Sequence, residues 1–275
     1  MTPINKANEV FAAIQAVKAA GPAYCTNFFP IEWKVQSWIE HGELAGVDVR
    51  DGAALFLRKD RDFWHLYFCA ASPGTLQREL VSLAGLGTER IVVDLVGSET
   101  ALTEQLAILE HAGFRRYSRL QRMARSHSAE LPAAIYGDAS AEYAGPGDRL
   151  AIADLLDSSF DRYADQLPAM HEIDAAIENR QMLAIKCAET LAAVLFFETQ
   201  GLTSTIRYWA VAERFRARRF GAALMRCYLQ AHSAARRFVL WVVATNENAV
   251  QKYRHYGYAA DGLIDHVLAN QFVRS

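Results

Sequence analysis

Two short stretches in the C-terminal half hold the residues best suited to chemistry. In Val211–Leu224 (VAERFRARRFGAAL), Arg214, Arg216, Arg218 and Arg219 crowd the approach to Phe220-Gly221-Ala222. An apolar run ends at Val211 and helix-type spacing opens at Phe220, so the arginines occupy a strand-to-helix turn. Free N–H groups at a helix start, its positive dipole end and guanidinium forks together favour a phosphate or diphosphate. A solvated basic turn is the plainer alternative. In Leu240–Tyr258, an apolar strand runs into Asn246, and Tyr253 follows two helical turns later. Both can face one groove. The plainer reading makes Asn246 an N-cap and Tyr253 a core residue.

A proton acceptor is harder to name. The run Thr203–Val211 carries Thr205, Arg207 and Trp209 in phase with Val211, and no carboxylate. Glu198, Asp161 and Asp165 are the candidate acids, the last two within Ser158–Pro168; each reads more readily as a solvated or structural group, and deprotonation through water without a dedicated base is equally open. Arg207 could pair with an anionic group of a substrate. Cys25, Cys69, Cys187 and Cys227 are widely spaced with no CxxC, which reads as buried free thiols rather than a disulfide frame or metal site. His171 and His255 read as surface or cap residues, and no metal is expected.

These residues need elements to position them. In the C-terminal half, Thr203–Val211 reads as a strand, Phe220–His232 as a helix, Phe238–Val243 as an apolar strand, and Asn248–Tyr256 as a helix closed at Gly257. The N-terminal half repeats the order: strand Phe63–Ala70, helix Thr75–Leu83, strand Ile91–Val96, helix Thr100–His111 closed at Gly113, then strand Arg115–Arg125. Gly113-Phe114 and Gly257-Tyr258 match at an offset of 257 − 113 = 144 positions. A solenoid repeat spans only roughly 20–50 residues. The stretch His127–Arg149, rich in Ala, Ser, Gly and Pro, is the natural boundary, with part of it the first strand of the second half. The expectation is an α/β chain of two domains, 1–128 and 134–275.

Taken together, the two stretches resemble the acetyl-CoA-binding core of the GNAT N-acetyltransferase superfamily. Phe215-Arg216 and Gly221-Ala222 match that family's turn, with Arg219 in place of its first glycine. Asn246, Ala249, Tyr253 and Gly257-Tyr258 match its second motif, with Tyr258 for the usual Phe. The resemblance covers roughly 134–275; the first half shares only the outline. It implies two GNAT-like domains, each a twisted mixed sheet flanked by helices (α+β), and direct transfer of acetyl from acetyl-CoA to a primary amine. Backbone at Trp209, Ala210 and Val211 would hold pantetheine and polarise the thioester. Arg216, Ala217, Arg218, Arg219, Phe220, Gly221 and Ala222 would hold the diphosphate. Asn246 would contact pantetheine or an ordered water, and Tyr253 would protonate the departing thiolate. Glu198, Arg207 and Asp165 would face the acceptor. The first domain would take no cofactor, because Ala71–Thr75 is too short and uncharged for a diphosphate cradle.

Composition sets the outer limits. The chain has 275 residues, 52 % hydrophobic and 22 % charged, which excludes disorder and fibre. Its net charge of −2, from 29 basic and 31 acidic residues, argues against coating nucleic acid. The N-terminal apolar residues fall at helical spacing, unlike a signal peptide, and no apolar run suits a membrane span, so a cytoplasmic setting is the default expectation. The expected partner is a small-molecule or peptide amine; oligomeric state stays open. Rival readings are a CoA-binding module without catalysis, transfer of another acyl group, and an unrelated two-domain nucleotide binder.

Overall fold

The computed structural model describes residues 2–50, 52–83, 89–127 and 139–270. They form two compact units, one running to Arg119 and resuming at Leu263, the other spanning Leu120–Gly262. In chain order the elements are β1 (Thr2–Pro3), α1 (Ala7–Ala19), β2 (Cys25–Thr26), α2 (Glu32–Glu40), β3 (Leu44–Arg50), β4 (Ala53–Asp60), β5 (Phe63–Ala70), α3 (Pro73–Leu83), β6 (Ile91–Gly97), α4 (Glu99–His111) and β7 (Arg115–Ser126). Then come β8 (Glu142–Tyr143), α5 (Arg149–Ser159), α6 (Met170–Glu178), β9 (Met182–Cys187), β10 (Thr190–Gln200), β11 (Thr203–Val211), α7 (Phe220–Ala231), β12 (Arg237–Val243), α8 (Glu247–His255) and β13 (Ala259–Ala269). The first unit orders its strands β1-β3-β4-β5-β6-β13, with β2 beside β5; the second orders them β7-β12-β11-β10-β9-β8.

This division differs from a cut between 128 and 134. Leu120–Ser126 of β7 pair antiparallel with β12 in the second unit, and Ile264–Ala269 of β13 pair antiparallel with β6 in the first. The unit borders therefore fall inside β7 and β13. Periodicity reports which residues form a strand; the choice of partner is non-local, and an apolar strand such as Phe238–Val243 must have both edges covered. Residues 128–138, part of the expected boundary, lie outside the described residues.

The core of the second unit lies on both faces of its sheet. α7 buries Phe220, Leu224 and Tyr228 against Leu195, Ile206 and Leu240 on one face. α5 and α6 bury Ile152, Leu156 and Ile173 against Val194, Phe196 and Tyr208 on the other. The expected glycine closures are present in both units. Gly113 has φ +96° and the Phe114 N–H reaches the Leu109 carbonyl at 3.0 Å; Gly257 has φ +80° and the Tyr258 N–H reaches the Tyr253 carbonyl at 3.1 Å. This left-handed residue with a bond back across the last turn is a Schellman close. All four cysteines are free, and burial pushes the Cys25 and Cys69 thiols up to about 11, so neither is a ready nucleophile.

Candidate active site

The site forms where a parallel pair comes apart. β11 and β12 pair over Thr203–Ile206 and Arg237–Leu240, and their remaining residues, Arg207–Val211 and Trp241–Val243, have no ladder partners in each other. Beyond Val211 a 3-10 turn (Glu213–Phe215) leads to α7. Ala217 and Arg219 both hold positive φ, +69° and +58°. Arg219 thus adopts the left-handed conformation that a glycine would supply without strain, so the turn keeps its shape despite the side chain. The helix opens at Phe220 as expected, with Phe220 buried and Gly221 and Ala222 half-buried. A Cβ at Gly221 would stand 3.1 Å from the Trp209 indole, so the first turn of α7 closes tightly on β11. Arg214, Arg216, Arg218 and Arg219 are exposed, two of them (Arg214 and Arg218) over the Phe215 ring at 4.9 and 5.6 Å.

α8 brings Tyr253 to the same place. Its ring packs 5.6 Å from Trp209 and 6.0 Å from Tyr258. Burial, and next the charge of Asp165, raise its pKa well above the usual phenol range. The Trp209 Nε1 is buried and has no hydrogen-bond partner among the described residues. Asn246 caps α8: its Oδ1 accepts from the Ala249 N–H at 3.1 Å.

A β-bulge corrects the strand phase expected from alternation. Phe196 opposes Tyr208 while Phe197 opposes Ile206, leaving Arg207 as the extra residue. Before the bulge Ser204 and Ile206 face α7, the Ser204 Oγ accepting from the Tyr228 hydroxyl at 2.7 Å. After it Trp209 and Val211 face α7, while Tyr208 and Ala210 face α5 and α6. Arg207 does not continue the Trp209–Val211 row; it reaches Glu198 at 3.6 Å and lies beside Tyr208 and Glu172.

Sequence reasoning missed Tyr208. Its hydroxyl donates to the main-chain carbonyls of Asp165, at 3.0 Å, and Gln166, pinning the α5–α6 loop beside β11. The Asp165 carboxylate accepts the Asp161 N–H at 2.9 Å. Burial pushes it up to about 6, against the lowering effect of that N–H. Its strand position, apolar neighbours and downstream loop gave no signal by which Tyr208 could be told from an ordinary core tyrosine.

The first unit has the same divergence but fills it. β5 and β6 pair only at Trp64–Ile91 and His65–Val92. Asn27 then bridges the opening: its Nδ2 donates to the Leu66 carbonyl at 2.9 Å and the Asp94 carbonyl at 3.0 Å, and its Oδ1 accepts the Phe68 N–H at 2.7 Å. Thr26 adds a hydroxyl bond to the Phe68 carbonyl at 2.7 Å, and β2 runs along β5. Only Ala71 and Ser72 separate β5 from α3.

Comparison with known proteins agrees with this geometry. Residues 150–258 match the model of the acetyltransferase (GNAT) family. Among solved structures, a GCN5-related N-acetyltransferase from Sphaerobacter thermophilus is similar at TM-score 0.63 and 17 % identity, covering 100 % of this chain and 96 % of that one. A tandem GNAT protein from the clavulanic acid biosynthesis pathway is similar at TM-score 0.63 and 12 % identity, covering 100 % and 98 %. At these identities the structural likeness speaks for the fold alone. No curated protein matches. Among the described residues, no helix is long and apolar enough to cross a membrane, and no cluster of three metal-ligating side chains occurs.

Proposed function

From a chain whose residues 150–258 match the GNAT acetyltransferase family model and whose whole length has GNAT-fold neighbours, we propose an enzyme that moves acetyl from acetyl-CoA directly to a primary amine. The observation that carries this reading is the divergence of β11 from β12 past Ile206 and Leu240, with Trp209 and Tyr253 packed together beside it. Acetyl-CoA, when bound, supplies an activated thioester carbonyl and a thiol leaving group. The residues present fit it. The stretch of β11 at Trp209, Ala210 and Val211 pairs with β10 on one side and has no β12 partner on the other, and that open side offers main-chain groups to the amide-bearing pantetheine arm. The buried, unpartnered Trp209 Nε1 is a donor in the same place. The left-handed turn at Arg219 presents the first N–H groups of α7, with Arg216 and Arg218 close by, to a diphosphate.

Tyr253 gives its proton to the departing sulfur. Burial favours the neutral phenol, so the donor is loaded at neutral pH. Asn246 acts mainly by fixing the start of α8, and so the place of Tyr253. Glu198, Arg207 and Asp165 lie on the α5–α6 side, where the acceptor, a small-molecule or peptide amine, would enter. The first unit takes no cofactor.

The test pairs calorimetry with turnover. Wild type is expected to bind acetyl-CoA and to acetylate a member of a panel of primary amines (n-butylamine, lysine, spermidine, glucosamine). Tyr253→Phe is expected to bind acetyl-CoA within about threefold of wild type while turnover falls on the order of 100-fold. Absence of acetyl-CoA binding, or unimpaired turnover by the variant, contradicts the reading.

A further inference from the structure

We infer that Asp165 is the general base that takes the acceptor's proton, and that Tyr208 is the positioning residue that holds it at the β11–β12 opening. This rests on the acetyl-transfer reading and deepens it.

The geometry is continuous through one stretch of strand. Tyr208 and Trp209 are neighbours on β11, just past the Arg207 bulge and just past the last β11–β12 pair. Tyr208 turns to the α5–α6 face and clamps the carbonyls of Asp165 and Gln166. Trp209 turns to the other face and carries Tyr253. β11 has lost its β12 partner here, and the Asp165 charge reaches the Tyr253 phenol. The loop that carries Asp165 and the ring of Tyr253 are thus held on opposite faces of the same two residues of β11, and an in-line transfer needs its acid and base on two sides of the reacting centre. Tyr208 itself is fixed by ring contacts to Phe160 (5.3 Å) and Phe196 (5.8 Å), so its hydroxyl is a rigid anchor. Gln166, with φ +47°, gives the clamped loop its turn.

The chemistry balances. Asp165, as carboxylate, takes one proton from the ammonium form of the acceptor. The freed nitrogen lone pair forms the C–N bond to the carbonyl carbon as the C–S bond breaks, its electron pair leaving with sulfur. Tyr253 protonates that sulfur and regains a proton from the nitrogen as it becomes an amide. Asp165 passes its proton to solvent. Burial gives the Asp165 carboxylate a proton affinity on the order of 100-fold above an ordinary aspartate, since it is pushed up to about 6. The titratable groups that act with it are Asp161 on its own loop, Tyr208 on β11 and Tyr253 on α8, while Arg207 on β11 and Glu172 on α6 act on Tyr208. Asp161 raises its proton affinity further, while the Asp161 N–H opposes that rise.

The experiment is a 13C carboxyl titration of wild type, Asp165→Asn, Asp165→Glu and Tyr208→Phe, alongside pH profiles of kcat/KM with the same amine panel. One resonance should titrate near pH 6, vanish in Asp165→Asn and move toward the ordinary aspartate value of about 3.9 in Tyr208→Phe, which keeps the ring packing. Asp165→Asn should lower kcat/KM on the order of 100-fold and abolish its acid limb, with acetyl-CoA affinity unchanged; Asp165→Glu should restore part of both. In Tyr208→Phe the acid limb should follow the resonance downward. An Asp165 that titrates near 3.9 in wild type, or an Asp165→Asn variant with wild-type rates, overturns the base assignment while leaving acetyl transfer intact. A Tyr208→Phe variant with unmoved resonance and acid limb overturns the positioning role. A wild type that binds no acetyl-CoA, or acetylates none of the amines, overturns both readings together.

Discussion

The β5–β6 opening of the first unit and the β11–β12 opening of the second are built alike and finished differently. In each, a parallel pair parts after a few residues, a helix follows the first strand, and a Schellman-closed helix follows the second. In the first unit the α1–α2 connection enters the opening, and Asn27 satisfies main-chain groups of both strands. In the second, Tyr208 pins the α5–α6 connection to one side, and the unpaired strand edge keeps an orphaned indole N–H. The lesson is that parted strands leave main-chain groups that must be satisfied. A chain can satisfy them with its own amide, which spends the site, or leave them for a ligand with amides of its own.

Variants can break or sharpen this contrast. The largest effect is expected at His65, which is fully buried between Asp60 (3.2 Å) and Asp94 (3.5 Å). His65→Ala leaves two carboxylates without their cation and should destabilise the first unit by about 3–5 kcal/mol in urea unfolding. Burial alone would lower the His65 pKa, but the bonds and charges of Asp60 and Asp94 outweigh it and raise it. That stability is therefore full below the unfolded histidine value of about 6.5 and is lost as pH rises through the raised folded value. The melting temperature of the first unit should fall on the alkaline side in wild type, and His65→Ala should flatten that limb.

Asn27→Ala comes next. It strands the Leu66 and Asp94 carbonyls and the Phe68 N–H, at about 2–4 kcal/mol. It should not create a second acetyl-CoA site, because Ala71–Ser72 leaves no room for a diphosphate cradle; calorimetry should still find one site per chain. Gly221→Val crowds the Trp209 indole and should weaken acetyl-CoA binding on the order of tenfold, about 1.4 kcal/mol, with the fold retained by circular dichroism. Arg219→Gly is the mildest: it relieves the left-handed strain and removes one exposed charge, so stability should change by less than about 1 kcal/mol.

Much of this was legible in the sequence, and what was not has a common cause. The strands and helices around Val211, Phe220 and Asn246, and the closures at Gly113 and Gly257, are written in local periodicity and in residues with special backbone freedom. The exchange of β7 and β13 between units depends on pairing across more than a hundred positions, which no local pattern encodes. The Arg207 bulge shifts the strand phase by one residue with no mark in the side-chain types, so extrapolating alternation past it misplaces Arg207. Asn27 and Tyr208 read as a loop polar residue and a core aromatic; their roles arise only once distant strands part beside them.

Hydrogen exchange read by mass spectrometry, with and without saturating acetyl-CoA, tests the contrast most directly. The account predicts slowed exchange in peptides covering 207–222 and unchanged exchange in those covering 66–76. Protection of 66–76, or none at 207–222, would contradict it.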